Sequence, residues 1–564
     1  MTYNTPGQNQ SAVNAVPWTN GKGLVTGATI ATLLTGIIGS FYLYAPLSGA
    51  TFTGPVSAPS FTGTIASGVM VANADPTGVL DSSAAINAAA ALSVGGVIQN
   101  VILPSGTFLI SNQLNIGSPT ASQCLVGQGW GTVLHVTVAF NPSANGVVNL
   151  SGTSLNNVQP CVKNLQIQFD QPTDLQTTAS AGTIAGSNIV TVSSTAGIAN
   201  GMIVVDVTHS SAIPNTLNNG VLALPTVTNI SGNLVTISQN VSSPGISSGD
   251  QIDFAQPRAN FASLGSCSSS SGQSGCKYPW AIYAGSNVNS PYIDNVQIRG
   301  AWNGTYIRGS QFHIGTLYTG AFNVGIDIDN CYNFPSVDNY LFWNFGINDG
   351  NAQQSALSLN YYDGSTVAAN IGRTDGISWG ALQTWAGIVN IETSFTFGAI
   401  HQLFLDGANA DINVTASQAG FLMVGEFYST KPSQTYGSPV YVNANSAFDV
   451  EIANLNISSA SPYNTAVILA GGILGLKGGY MWDGQQASIP MIKQQGGVLR
   501  ISNMAFDAGA SRTDTYILQS SGLMQLGTNN AFIQSPGTGA VGFSSSGGTY
   551  REDAQIYWNG WTHP

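Results

Sequence analysis

Apolar and polar residues alternate in short runs along most of the chain, and the runs resemble one another. VKNLQIQFD (Val162 to Asp170), YIDNVQIRG (Tyr292 to Gly300), VEIANLNIS (Val450 to Ser458) and LRISNMAFD (Leu499 to Asp507) each alternate around an Asn. Period-2 alternation buries one face of a strand, and Gly and Asn between such runs turn corners. Ile293, Ile314 and Val337 recur at spacings of 21 and 23 residues, a length that suits one coil of a solenoid. Most Asn residues are therefore expected at turns or in stacked hydrogen-bonded ladders.

One stretch breaks this rhythm. DSSAAINAAAALS (Asp81 to Ser93) offers Asp81 or Ser82 as an N-cap, Ala and Ile at helical spacing, and Gly95-Gly96 as a stop. Strands follow in VIQNVILPSGTFLIS, around the turn Pro104-Ser105-Gly106, and in LVGQGWGTVLHV (Leu125 to Val136). A solenoid's first coil exposes apolar side chains and unpaired strand edges, so a cover is required there. This order resembles the entry to a pectate-lyase-like right-handed parallel β-helix, in which a small helix covers the first coil. The resemblance implies an all-β body over 75–515.

Within it, residues 181–256 change pattern, with hairpins joined by turns such as Ser231-Gly232-Asn233. This small β-module resembles a compact insertion of phage tail proteins and is expected to be a decoration. Earlier in the chain, GATFTGPVSAPSFTGT repeats TFTG (Thr51 to Gly54) as SFTG (Ser60 to Gly63), and resembles repeats near the N-termini of bacteriophage tail fibres and tailspikes. A narrow neck over 51–74 is expected, preceded by a virion-attachment segment over 1–50. Leu24 to Ala45 approaches the length of a membrane span, but Thr and Gly dilute it and no basic run precedes it. A docked or self-associating anchor without membrane insertion is the preferred reading. Residues 516–564 are expected to cap the last coil and join neighbouring subunits.

Composition narrows the partners. Charged residues make up 7% of the 564, against 43% hydrophobic, so a packed core is expected and disorder is not. A net charge of −12 with scattered Lys and Arg argues against nucleic acid. The five Cys show no CxxC spacing, so neither a metal nor another cofactor is expected; Cys267 and Cys276 are close enough in sequence to be a surface disulfide or two free thiols. No clustered Asp set suits calcium, a departure from pectate lyases proper.

Chemistry has few residues to draw on, since Glu occurs only at 392, 426, 451 and 552. Glycoside hydrolysis typically uses two carboxylates. The region from Tyr361 to Tyr436 supplies Asp375, Glu392, Asp406 and Glu426 as candidate catalytic groups, Asp406 and Glu426 being twenty residues apart, near one coil. Trp379, Trp385 and Tyr428 offer ring faces to sugars, with Arg373 and His401 as further substrate contacts. Tyr428, Lys431, His401 and Arg373 would equally serve β-elimination, so hydrolase and lyase stay open, with the hydrolase favoured. An Asp in DGANA also suits a turn, and His401 suits packing.

The resemblance implies a homotrimeric phage tailspike on the virion. It would dock through residues 1–50 to tail or baseplate proteins and recognise, and cleave, a host-surface polysaccharide, capsule or lipopolysaccharide. The alternatives are a receptor-binding fibre without catalysis, and a secreted bacterial pectate-lyase-like enzyme or adhesin.

Overall fold

The computed structural model describes the short strands Trp18–Thr19 and Leu24–Val25 and most of residues 68–533, apart from the connecting stretches 92–98, 152–158, 256–278, 344–365, 432–437, 460–464, 484–489 and 508–516 and several shorter ones. Met1–Ile65 and Ala66–Pro564 are separate units. In the first, the two short strands pair antiparallel. The neck repeats, most of the apolar segment 24–45, Cys267, Cys276 and everything beyond Ile533 lie outside the described residues. No helix among the described residues is long and apolar enough to cross a membrane.

The second unit is a parallel β-solenoid of about 13 turns. Each full turn contributes to three ladders. The first ladder stacks strands such as Gln99–Ile102, Gln123–Val126 and Val498–Ile501. The second stacks Gly106–Ile110, Thr132–Val136 and, later, Met504–Asp507. The third begins at Leu114–Ile116 and passes through Gly146–Leu150, Val367–Ile371, Ile388–Ile391 and Ile412–Val414. Ile293, Ile314 and Val337 are register partners on successive coils, so the 21- and 23-residue spacings each measure one turn.

Alternation explains what fills the interior. Val162, Leu165 and Ile167 from VKNLQIQFD are fully buried, as are Leu455, Leu499 and many others in one continuous core. In the coil before Cys161–Phe169, residues 127–131 form a turn between the first and second ladders, whereas from Cys161–Phe169 to Met504–Asp507 the chain bends there without a loop. Asn164, Asn295 and Asn503 hold that bend with φ of 56°, 50° and 52°, a left-handed conformation Asn tolerates better than most residues. Asn295 Nδ2 donates to Asn164 Oδ1 at 3.0 Å, and in the third ladder Asn390 Nδ2 donates to Asn370 Oδ1 at 2.9 Å. The expected Asn ladders are thus present. Cys124 and Cys161, also register partners, form a disulfide across adjacent coils, whereas Cys331 is buried and free.

The helix, α1 (Ser83–Ala91), buries Ser83, Ile86, Ala89 and Ala90 over the solenoid's start. Its Asn87 reaches the open edge of Leu114–Ile116. Nδ2 donates to Gln113 O and Oδ1 accepts from Asn115 N–H, both at 2.9 Å. One side chain thereby supplies the donor and acceptor that a preceding strand would have supplied.

Between the second-ladder strand ending at Phe169 and the third-ladder strand starting at Trp280 sits an antiparallel module. Gln251–Ala255 pairs with Leu175–Thr178 and Ile203–Asp206, and Leu234–Ile237 pairs with Ile189–Thr191 and Val227–Ser231. The module has its own core, including Val190, Val204, Val235, Ile252 and Phe254.

Candidate functional site

Two surfaces concentrate chemistry. The first is the outer face of the second ladder. Gln297, Tyr318, Leu341, Gln383, Phe404, Tyr428, Asn456 and Tyr480 are register partners there, one per coil. Tyr428 is 43% exposed and lies 6.2 Å from the Phe404 ring. At the end of the same strands Trp343 and Trp385 approach with ring centroids 5.9 Å apart, and Trp385 is the register partner of Asp406. Trp130, from the turn in LVGQGWGTVL, meets Tyr318 edge-on at 5.0 Å. Trp130, Gln297, Tyr318, Leu341 and Trp343 are among the residues lining a cleft of about 230 Å³. Flat amphipathic rings beside amide groups suit the apolar faces and hydroxyls of sugars.

Trp379 does not belong to this surface. It is fully buried, its Nε1 donating to Ala381 O at 3.2 Å and its ring edge-on to Tyr340. The reason is the bend between ladders. Ile377 and Trp379 point inward, then Leu382 and Thr384 do, so the inward parity shifts by one residue at the corner. Trp379 and Trp385, six residues apart, therefore face opposite ways.

Asp406 and Glu426 are not stacked either. Glu426 is the partner of Gln402 and Asp406 the partner of Thr430, because this coil spans 24 residues instead of 20. Four strand positions separate their backbones, about 13 Å along the ladder at ~3.3 Å per residue, and each carboxylate is hydrogen-bonded to a different neighbour. Asp406 Oδ1 accepts from Thr430 Oγ1 at 2.7 Å, and Glu426 Oε2 from Asn454 Nδ2 at 2.7 Å. His401 is exposed, with Nε2 3.2 Å from Ser378 Oγ.

The second surface is the corner where the third ladder turns into the first. Ile328, Ile371 and Ile391 are register partners, and each is followed by a corner residue: Asp329, Gly372 and Glu392. Gly372 leaves room above itself, since a Cβ there would stand 3.1 Å from Glu392 Oε2. The Glu392 carboxyl thus extends over Gly372 towards Asp329. Burial, reinforced by the Asp329 charge, pushes its pKa above the usual glutamate value. Asp329 accepts from Tyr306 Oη at 3.3 Å and lies 3.8 Å from Arg308 Nε. Around the bend, Arg373 Nε is 3.8 Å from Asp375 Oδ1, and its guanidinium lies 4.8 Å from the centre of the Tyr332 ring. Two coil steps at ~4.8 Å put the Asp329 and Glu392 backbones about 9.6 Å apart. The corner thus places a carboxyl held towards its protonated form near an ion-paired carboxylate, a division of roles suited to acid–base chemistry.

Of the sequence candidates, Trp385, Tyr428 and Asp406 share the aromatic face, while Glu392, Asp375 and Arg373 share the corner; Trp379 is interior. Trp130, Tyr318, Trp343 and Asp329 were not singled out by sequence. Trp130 alone carried a signal, as a large apolar residue between two glycines in a turn. Among the described residues, neither surface groups three ligand atoms suited to a metal.

No protein-family model and no curated protein matches the chain. Among solved structures it is similar to the tailspike protein gp49 of Pseudomonas phage LKA1, with 14% identity, TM-score 0.27 and coverage of 79% of this chain and 75% of that one. It is also similar to the tailspike gp61 of Pseudomonas phage phi297, with 13% identity, TM-score 0.28 and coverage of 78% and 70%. A third similar structure is the gp54 tailspike of Acinetobacter baumannii bacteriophage AP22 in complex with A. baumannii capsular saccharide, with 11% identity, TM-score 0.23 and coverage of 81% and 73%.

Proposed function

We propose that the chain is a phage tailspike that binds a host-surface polysaccharide along the outer face of the second ladder and cleaves it by hydrolysis at the Asp329–Glu392 corner. The observation that carries the binding is the outward row of Tyr318, Phe404, Tyr428 and Tyr480, flanked by Trp130, Trp343 and Trp385. Rings repeated at coil spacing suit a repeating ligand better than a single small molecule. At the corner, Glu392 would protonate the departing sugar oxygen while Asp329 acts as base or nucleophile, with Asp375 and Arg373 as substrate contacts.

Residues 1–50 would dock to the virion tail, 51–74 form the neck, and 516–564 join subunits of a homotrimer. The exposed apolar side chains of Phe334, Phe421 and Met423 on and beside the first ladder support self-association.

The test is incubation of the full chain with capsular polysaccharide and lipopolysaccharide from candidate hosts, following new reducing ends and ultraviolet absorbance of unsaturated sugars. Reducing ends alone are expected, with binding weakened in Trp343→Ala and turnover lost in Glu392→Gln. Both signals rising together would establish a lyase. A second reading, binding without cleavage, is favoured by the placement of the aromatic face and the carboxylate corner at different positions around the coil. Retained binding with neither signal would establish it, and absence of binding to every envelope polysaccharide would overturn both.

A further inference from the structure

We propose that the antiparallel module holds one divalent transition-metal ion of the zinc class between Asp206, His209 and Asp250. This site is independent of the polysaccharide reading. Asp206 ends the strand Ile203–Asp206, His209 follows in the turn, and Asp250 immediately precedes Gln251–Ala255, which pairs back onto the first strand. Forty-one residues separate His209 from Asp250 in sequence, so only the folded module unites them. One carboxylate oxygen from each Asp and one ring nitrogen of His209 lie within 4.8 Å of one another.

The existing hydrogen bonds leave this cluster short of donors. Asp206 Oδ1 accepts from the His209 backbone N–H at 2.8 Å, and Asp250 Oδ2 accepts from Ser247 N–H at 2.7 Å and lies 3.0 Å from His209 Nδ1. Asp206 is fully buried, its Oδ2 meets no N–H or hydroxyl donor, and its carboxyl stands close enough to Asp250 for the two to share a proton. A buried carboxylate oxygen without a partner is costly. Nor can an ammonium or guanidinium from the module relieve it, since the sequence from Leu175 to Ala255 contains no Lys or Arg. A shared proton pairs the two carboxylates with each other, and a metal cation taking its place would engage both together with His209.

The donor set narrows which cation. Calcium takes six to eight oxygen ligands, whereas one imidazole with two carboxylates suits zinc and its neighbours. Three protein ligands leave a position for water, and the His209 side chain, 45% exposed, places the site at the surface. Bound there, the ion would clip the 207–209 turn to the strand beginning at Gln251. Sequence reading found no metal because the ligands follow no local spacing.

The experiment uses the full chain without a histidine tag, stripped with chelator and titrated calorimetrically with Zn²⁺ and, separately, Ca²⁺, with bound metal counted by mass spectrometry. One saturable Zn²⁺ per chain is expected, tighter than Ca²⁺. His209→Ala, a change at an exposed side chain, should weaken binding by at least about 100-fold, since even outer-sphere partners of metal ligands are worth 10- to 100-fold. Hydrogen exchange in 203–206 and 251–255 should slow on adding Zn²⁺ to the wild type and not to His209→Ala. Absence of a saturable site, Zn²⁺ binding unchanged in His209→Ala and Asp206→Asn, or tighter binding of Ca²⁺ would overturn the assignment.

Discussion

Replacing Trp379 and Trp385 by Ala, one at a time, separates the two sides of a single strand. Trp379 is wholly enclosed, with one hydrogen bond and an edge-on ring contact to Tyr340 at 5.7 Å. Burying an aromatic side chain of ~150–250 Å² at ~25 cal/mol per Å² is worth about 4–6 kcal/mol as an upper figure. Core Trp-to-Ala changes cost about 3–5 kcal/mol. In a solenoid that loss falls on the neighbouring coils, here the register partners 336–342 and 397–406. Native-state hydrogen exchange reads it directly: 3–5 kcal/mol corresponds to roughly 10²- to 10³-fold faster exchange or more in those segments. Trp385, half-buried, should cost about 1–2 kcal/mol and instead weaken polysaccharide binding. If Trp379→Ala left exchange unchanged and abolished binding, the assignment of inward and outward positions would be refuted.

Asn87→Ala should expose the edge of Leu114–Ile116 and destabilise the first coils by about 1–3 kcal/mol through two lost hydrogen bonds, seen as faster exchange at 113–116 with distant coils unaffected. Glu392 has a raised pKa in the fold, so stability should fall as pH rises from the ordinary glutamate value through the raised one, and Glu392→Gln should flatten that part of the stability–pH profile. Hydrolysis should decline over the same rise in pH as Glu392 loses its proton. Gly372→Ala, whose Cβ would crowd Glu392 Oε2 and the Ile328 carbonyl, should lower turnover while leaving binding at Tyr428 intact, measured as a fall in kcat with little change in glycan affinity. Asp75 accepts from Thr77, Val79 and Leu80 and is held down to about 2; its contribution is full above the ordinary aspartate value near 4 and lost as pH falls towards 2, which acid-dependent exchange of 77–81 would register.

The solenoid was legible because its signals are local and repeated. The Asn in VKNLQIQFD, YIDNVQIRG and LRISNMAFD occupies one corner position, and the helix in DSSAAINAAAALS covers the start as its surroundings require. The site was less legible because it depends on register. A twenty-residue interval suggested that Asp406 lies beneath Glu426, but coil length varies and this turn takes four residues more. Trp379 and Trp385, six residues apart, would share a face of an unbent strand, but the corner between them shifts the parity. The Asp329–Glu392 relation depends on Gly372, a residue with no chemistry of its own, and no single-strand pattern reveals it.

Coil length varies unevenly around the three corners. From Cys161–Phe169 to Met504–Asp507 the bend between first and second ladders takes at most two residues between strands, whereas the passage from second to third ranges from residues 386–387 to the whole of 170–279, module included. Chain can thus enter or leave at that passage without altering the hydrogen-bonded pitch of the ladders on either side. Such a scaffold can be re-edited: what lies beside the aromatic row is open to wholesale replacement, while the row and the fold beneath it keep their geometry.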